Sequence, residues 1–165
     1  MLTRDDVFAV LGEVKDPEVP VLSVIELGIV RGVDVDAAGA VTVAVTPTYS
    51  GCPAMRVIEE DIVTALHARG VRDARVRTVY TPAWTTDWMS DDAKAKLEAY
   101  GIAPPGRAAP LEDDLVPLRR GAEIVRCPYC RSSDTTLRSE FGSTACKSIR
   151  FCNACQQPFE QFKAL

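Results

Sequence analysis

Cysteine is the residue type with the most evident chemistry in this sequence, and its six copies fall into two groups. Four of them form two Cys-x-x-Cys pairs, CPYC at 127–130 and CNAC at 152–155, with 21 residues between the pairs. Two thiolates from each tight turn can converge on one tetrahedral ion, as in closed structural zinc sites. The interval slightly exceeds the roughly 15–20 residues usual for such pairs, which a longer hairpin accommodates. The pattern predicts zinc binding by Cys127, Cys130, Cys152 and Cys155.

The tetrapeptide CPYC also occurs in dithiol oxidoreductases, so a redox function is the alternative interpretation of this region. The second cysteine pair and the lack of a thioredoxin-type βαβ pattern argue against it. A region of about 45 residues buries little core, so a bound metal would supply much of its folding free energy. Cys146, in FGSTACKSIRF, has three interpretations: a substitute ligand, a transient partner of Cys52, or a side chain buried under the hairpin. We expect burial.

Cys52 stands apart from the other five cysteines, in the stretch PTYSGCPAMRVIEED at residues 47–61. Pro53 suits the first position of a helix, so Cys52 is predicted to be the N-cap. Unpaired N–H groups and the helix dipole favour an anion there, which should stabilise a thiolate relative to a free cysteine of pKa about 8.5. A reactive or metal-ligating thiol is therefore one interpretation. The other is a small, inert cysteine that fills a tight loop.

A cysteine–histidine hydrolase is not expected, because the chain has a single histidine and its position is unsuitable. His67 lies near the far end of the helix that Pro53 begins. At a rise of about 1.5 Å per residue, it should be roughly 20 Å from Cys52. His67 is predicted to be a surface residue near a helix end.

Apolar periodicity predicts the elements that position Cys52. A helix over 4–15 is followed by a proline-containing loop from Asp16 that then becomes extended, and β-branched runs separated by DAAG predict a hairpin. Helical spacing resumes at Met55, alternation returns after Gly70, and SDDAKAKLEAY begins a short third helix. The order is α-β-β-α-β-α, an α+β fold built as an α/β sandwich and followed by a small β zinc-ribbon domain. The predicted strands are residues 28–35, residues 40–46 and a strand within 71–82. The predicted second helix spans residues 53–69.

Charge and composition divide the chain in two. Residues 1–118 carry 11 basic and 19 acidic side chains, whereas residues 119–165 carry 8 basic and 4 acidic ones. Between them, GIAPPGRAAPLEDDLVPLRRG is rich in proline and alanine without an apolar period, which is typical of a linker. We therefore predict a first domain over 1–102, a linker over 103–121 and a zinc ribbon over 122–165.

The overall composition, 47% hydrophobic and 25% charged over 165 residues, is that of a globular protein of one domain or two small ones. The first residues are acidic and amphipathic, unlike a signal peptide, and no uncharged stretch approaches the roughly 20 apolar residues of a membrane span. A cytoplasmic location without membrane contact is expected, where clustered cysteines more often bind metal than form disulfides.

Several motifs together resemble one family across nearly the whole chain. They are DPEVPVLSVIELGIVR, PTYSGCPA, YTPAWTTDWMS with YGIAPP, and CPYC…SEFGSTACKS…CNAC. The sequence resembles the D subunit of the phenylacetyl-CoA epoxidase system (PaaD or PaaJ), and its first domain is similar to SufT-type iron–sulfur assembly domains. The resemblance implies an accessory protein of phenylacetate catabolism that assists iron–sulfur cluster or iron assembly, without independent catalysis. Its implied partners are a di-iron oxygenase and a reductase that carries flavin and an iron–sulfur cluster, with a homodimer as a further option.

The resemblance also implies functions for individual residues. Cys52 is the candidate ligand of a transient cluster or iron ion, accompanied by the motif positions Asp16 and Thr48, and the four paired cysteines are zinc ligands. Asp16 is equally well explained as a turn-forming residue before Pro17. Trp84 and Trp88 are either core anchors, which we favour, or an exposed docking surface.

Two other classes of function remain open from the residues alone. The basic C-terminal region could be a nucleic-acid module, although its positive residues are scattered among few aromatic ones and the first domain is acidic. A thiol-dependent enzyme that acts through Cys52 is the third class. The basic residues in question are Arg119, Arg120, Arg126, Arg131, Arg138, Lys147 and Arg150.

Overall fold

The first helix is defined by its N-terminal cap and its apolar face. In the computed structural model, which describes residues 2–107 and 124–165, α1 spans Arg4–Glu13. The Thr3 hydroxyl accepts a hydrogen bond from the Asp6 N–H at 3.2 Å, and the Asp6 carboxylate accepts one from the Thr3 N–H at 2.8 Å. This reciprocal capping box satisfies two donors that the helix leaves unpaired. One face of α1 is buried through Val7, Val10 and Leu11.

A three-stranded sheet with order β1-β2-β3 forms the centre of this part of the chain. Strands β1 and β2 are antiparallel, and their turn is held by the Asp36 carboxylate, which accepts hydrogen bonds from the N–H groups of Ala38 and Ala40. Strand β3 pairs with β2 in parallel, so helix α2 must cross over between them. The predicted order of elements is confirmed. Their bounds are Val30–Val35 for β1, Val41–Val45 for β2, Ala54–Ala68 for α2 and Ala74–Thr78 for β3.

The segment that connects α1 to β1 is a series of turns, and the prediction that it becomes extended after its prolines is wrong up to Gly28. Ser23 and Glu26 explain the difference, because each side chain accepts a hydrogen bond from the other residue's N–H, at 3.2 and 2.9 Å respectively. This local pairing offers the backbone an alternative to a strand. Extended structure begins only at Val30.

Two tryptophans secure the end of these turns. Trp84 is buried, and its indole N–H donates to the Leu27 carbonyl at 3.0 Å. Trp88, at the end of a short 3₁₀ helix over Thr86–Trp88, is half-buried with the Arg31 guanidinium 3.5 Å from its ring centre. The expectation of a core anchor is confirmed for Trp84, whereas Trp88 is only half-buried and makes a cation–π contact with Arg31.

A second sheet has four strands in the order β4-β7-β6-β5. Strands β5, β6 and β7 form an antiparallel meander, and β4 joins the edge of β7 in parallel. Helix α3 precedes β4 and ends before Gly101, as its sequence predicts. The elements are α3 Asp91–Ala99, β4 Ile102–Ala103, β5 Thr135–Ser139, β6 Lys147–Cys152 and β7 Pro158–Phe162.

The described chain divides into two compact units. The first runs to Trp84 and includes Trp88–Ala93, and the second comprises Thr85–Asp87 and the described residues from Lys94 to Leu165. Most of the predicted linker, residues 108–121, lies outside the described residues. Because β4 pairs with β7, the segment after α3 belongs with the second sheet. The domain limits at 102 and 122 therefore stay a prediction.

Replacing Gly28 with alanine should destabilise the first unit by about 2–4 kcal/mol. Gly28 has a φ of 76°, and an added Cβ would lie 2.8 Å from the Trp88 carbonyl oxygen. Gly70→Ala is the matched control, because Gly70 has a φ of 87° and no neighbouring atom within 4 Å. It should cost only the backbone strain of about 1 kcal/mol. Urea unfolding followed by tryptophan fluorescence measures both, and equal losses would contradict the steric explanation.

Candidate functional site

The two Cys-x-x-Cys turns bring their four sulfurs together. The Sγ atoms of Cys127, Cys130, Cys152 and Cys155 all lie within 4.8 Å of one another. Each turn closes with a backbone hydrogen bond of 2.9 Å, from Arg131 N–H to the Cys127 carbonyl and from Gln156 N–H to the Cys152 carbonyl. Arg131 and Gln156 accordingly adopt left-handed backbone conformations, with φ of 63° and 58°. The arrangement matches the closed tetrahedral set of thiolates that zinc prefers.

The four sulfurs are not equivalent. Cys127 and Cys152 are fully buried and belong to the apolar cluster of the second unit, whereas Cys130 is exposed. The N–H of Cys155, 3.5 Å from the Cys152 sulfur, lowers the pKa of Cys152 to about 7. Burial raises the pKa of Cys155, and the neighbouring Cys152 adds to this rise. Thiols held this close favour a bound cation, since thiolates would otherwise repel one another.

Cys146 is buried, as expected, and is not part of this set. Its sulfur lies 3.0 Å from the Thr144 hydroxyl, and its carbonyl accepts a hydrogen bond from the Lys163 N–H at 2.9 Å. Cys146 therefore has a packing function in the loop that precedes β6.

Cys52 lies in the turn between β2 and α2, at the carboxyl end of β2, where sheets with parallel strands commonly bind ligands. Its N–H donates to the Tyr49 carbonyl at 3.3 Å, and Gly51 reaches a φ of 86° with open space where a Cβ would stand. The prediction that Cys52 is the N-cap is wrong by one residue, because Pro53 occupies that place. Met55 N–H bonds to the Cys52 carbonyl at 3.3 Å, so a tight turn precedes the regular helix that begins at Ala54.

The prediction of a stabilised thiolate at Cys52 is also wrong. Burial raises the pKa of the half-buried Cys52 thiol, and the carboxylates of Glu18 and Asp16 raise it further. The Ala54 N–H and the Thr48 hydroxyl lower the pKa, as the helix start implies, but burial has the larger effect. The unliganded side chain is consequently a thiol at neutral pH.

The structure brings Asp16 and Thr48 close enough to Cys52 to influence its charge, as their shared motif positions suggest. Asp16 is buried, and one carboxylate oxygen accepts hydrogen bonds from the N–H groups of Glu18 at 2.8 Å and Val19 at 2.7 Å. It therefore forms a turn, and that turn presents Glu18. Sequence reasoning missed Glu18, whose adjacency to Pro17 in the DPE triplet was the only signal for it.

Two further residues near the predicted site have definite positions. His67 is exposed in the last turn of α2, at the opposite end from Cys52, as predicted. Thr46, at the end of β2, is buried, and its hydroxyl has no hydrogen-bond partner within residues 2–107 and 124–165. A desolvated hydroxyl of this kind costs about 1–3 kcal/mol.

Comparison with known proteins identifies both parts of the chain. Residues 4–82 match the family described as iron-sulfur cluster assembly protein, and residues 112–163 match the PaaD zinc beta ribbon domain. A protein of Escherichia coli (strain K12), named as the D subunit of 1,2-phenylacetyl-CoA epoxidase, is 44% identical over 160 residues, which are 97% of this chain and 92% of that protein. The chain belongs to the PaaD family of phenylacetyl-CoA epoxidase components. The resemblance inferred from the motifs is confirmed.

The first unit has relatives of its own. An Fe–S protein maturation auxiliary factor of Porphyromonas gingivalis (strain ATCC BAA-308 / W83) is 38% identical over 96 residues, or 58% of this chain and 90% of the relative. The crystal structure of a domain of unknown function, DUF59, from Bacillus anthracis has a TM-score of 0.54 at 30% identity, covering 57% of this chain and 90% of that one. These likenesses confirm the α+β fold expected for the first domain of the family.

The C-terminal part is a zinc ribbon, and its four cysteines are positioned to bind the ion. All four donors are thiols, no histidine or carboxylate belongs to this described cluster, and the turns have the closed hydrogen bonds of zinc knuckles. The ion would supply cross-links and charge compensation to this small unit. No helix among the described residues combines the length and apolar character needed to cross a membrane.

Two substitutions of Asp16 should separate the effect of its hydrogen-bond-accepting oxygen on stability from the effect of its negative charge. Asp16→Asn keeps an oxygen for the N–H groups of Glu18 and Val19, so we expect at most about 1 kcal/mol of destabilisation. Asp16→Ala leaves the buried Val19 N–H and the partly buried Glu18 N–H unpaired and should cost about 2–3 kcal/mol. Urea unfolding of the two variants measures the difference. Equal stability of Asp16→Ala and the parent protein would contradict the turn-forming function.

Removing the carboxylate of Glu18 should make Cys52 more reactive. Because that negative charge raises the thiol's pKa, Glu18→Gln should lower the pKa and increase the thiolate fraction at about pH 8. Iodoacetamide alkylation of Cys52, followed by peptide mass spectrometry across a pH series, should show a midpoint shifted to lower pH. Glu13→Gln is the control, since Glu13 pairs with Arg69 near the far end of α2. An unchanged midpoint in Glu18→Gln would contradict the electrostatic assignment.

Proposed function

We propose that this protein is an accessory factor of the phenylacetyl-CoA epoxidase system that carries iron or an iron–sulfur cluster at Cys52. The iron–sulfur assembly relatives of its first unit and the epoxidase relative of the whole chain support this function. The cargo is a substrate of the protein, whereas the zinc ion is structural. The proposed zinc ligands are Cys127, Cys130, Cys152 and Cys155.

The observation that carries the proposal is a half-buried thiol whose pKa is raised by burial and, to a smaller extent, by the charges of two carboxylates. The negative charges of Glu18 and Asp16 disfavour a free thiolate at Cys52 but favour a bound cation at the same place. On binding, the Cys52 thiol loses its proton to solvent, and the resulting thiolate retains the Ala54 N–H and Thr48 hydroxyl as donors. A single thiolate leaves coordination positions for a donor or recipient protein, which suits transfer.

The setting of this activity is the multicomponent oxygenase. We propose that the recipients are the di-iron oxygenase or the flavin- and iron–sulfur-containing reductase of that system, and that the protein has no catalytic turnover of its own. A cytoplasmic location suits its chemistry, because thiols that must bind metal have to stay reduced. Self-association into a homodimer would bring a second Cys52 thiolate to one cargo.

The two alternative classes receive less support. Several basic residues of the ribbon are occupied internally: Lys147 with Glu160 at 3.1 Å, Arg150 with Gln161 at 2.7 Å and Arg131 with Glu98 at 3.4 Å. Lys147 and Arg150 are also buried, so these two are poorly available to nucleic-acid phosphates, whereas Arg131 is exposed. Arg119 and Arg120 lie outside the described residues. A thiol-dependent enzyme would need a thiolate nucleophile at Cys52. Burial and the nearby carboxylates instead keep this sulfur protonated.

Metal analysis of anaerobically reconstituted protein tests the carrier function. The parent protein should contain iron and acid-labile sulfide in addition to zinc, and Cys52→Ser should lose the iron and sulfide while it keeps the zinc. The metals are measured by plasma mass spectrometry and the cluster by visible absorption.

Cys146→Ser is the matched control, since it removes a thiol that is buried elsewhere. It should retain zinc, iron and sulfide. Full iron and sulfide in Cys52→Ser would show that Cys52 is not the ligand, and a parent protein that takes up neither would reject the carrier function.

A further inference from the structure

The interval between the two matched families, residues 83–111, is assigned to neither of them. Residues 98–103 of this interval nevertheless contact, at several points, the part of the second unit that carries the four paired cysteines. Strand β4 pairs with β7, with Ile102 opposite Glu160 and Ala103 opposite Gln161. This short strand extends the ribbon's three-stranded meander to four strands.

Ala103 connects the interval to the metal ligands themselves. It is 1% exposed and belongs to the apolar cluster that contains Cys127 and Cys152, together with Val125 and Phe159. This apolar cluster therefore contains two of the proposed ligand cysteines together with Ala103, which lies well before both of them in the chain. At this buried position β4 contributes only the small side chain of Ala103.

The first knuckle, CPYC, also contacts the interval. The Tyr129 hydroxyl lies 3.0 Å from the position of a Cβ added to Gly101, so the ring packs directly over the turn that ends α3. Arg131, the left-handed residue that closes the same knuckle, reaches the Glu98 carboxylate at 3.4 Å. The salt bridge is exposed and weak by itself. Together with β4, however, it fixes residues 98–103 to the turn that carries two of the four thiols.

We propose that residues 98–107 are a structural part of the metal module: ion binding by the four cysteines orders them, and they in turn help to retain the ion. A two-residue strand with few partners has little stability of its own. It depends on the ribbon core, which in a unit this small depends on the metal. The family ribbon, matched from residue 112, is thus incomplete without the upstream strand. This inference is independent of the function of Cys52.

Hydrogen exchange of the full chain, read by mass spectrometry, tests the first half. Zinc-loaded protein is compared with protein stripped by excess EDTA. Peptides covering 98–107 should lose protection at least about tenfold on stripping, together with ribbon peptides from 127–162, while peptides from 54–78 stay unchanged. Unchanged exchange in 98–107 when the ribbon peptides lose protection would overturn the proposal. So would retained protection in both regions, or a loss that extends to 54–78.

Release of zinc to a chromogenic chelator tests the second half. Ala103→Asp places a charge in the cluster around Cys127 and Cys152 and should accelerate release by about tenfold or more. Ala95→Asp is the matched control, since it makes the same change at an exposed position of α3. Equal release rates for Ala103→Asp and the parent protein, or equal acceleration in both variants, would overturn it. The exchange measurement on the parent protein stays decisive if Ala103→Asp fails to fold.

Discussion

The stability of the second unit depends on four cysteine sulfurs that lie within 4.8 Å of one another. Deprotonated thiols at that separation repel strongly, and protonated ones have little to hold them together, so the arrangement is stable around a cation. Among the described residues, the apolar cluster of this unit has five buried members, and two of these, Cys127 and Cys152, are proposed zinc ligands. The proposed metal site and the apolar cluster therefore share residues, and the stability of the surrounding β-sheet depends on both.

Cys52 shows how two ordinary effects compete at one sulfur. A helix start lowers a thiol's pKa through N–H groups and the dipole, and Ala54 does so here. Removal from water and the nearby carboxylates act in the opposite direction and prevail. The outcome separates nucleophilic from ligand chemistry, because a protonated sulfur among negative groups attacks carbonyls poorly yet gains from any cation that displaces its proton. The same conclusion follows from the distant, exposed His67.

Local patterns in the sequence predict local structure here, and they fail where tertiary contacts decide. The hairpin and α2 follow from apolar periodicity, and both knuckles follow from pairs of cysteines with two residues between them; neither pattern needs knowledge of the fold. Glu18 could not be assigned to Cys52, because only the folded loop held by Asp16 brings them together. Strand β4 is too short to show an alternating pattern, and the sign of the pKa change depends on burial, which sequence does not give. The Ser23–Glu26 pairing is visible in the sequence as a capping motif but competes with an apolar run that favours a strand.

The separation of Cys52 from the paired cysteines has a consequence for the order of biosynthesis. Domains generally fold as they leave the ribosome, the N-terminal one first. Strand β3, which completes the sheet around the Cys52 turn, ends at Thr78, well before Cys127 is translated. The turn that carries Cys52 can therefore fold before any of the four paired cysteines exists on the same chain. Vectorial synthesis thus separates the folding of the Cys52 turn in time from the appearance of the four paired thiols.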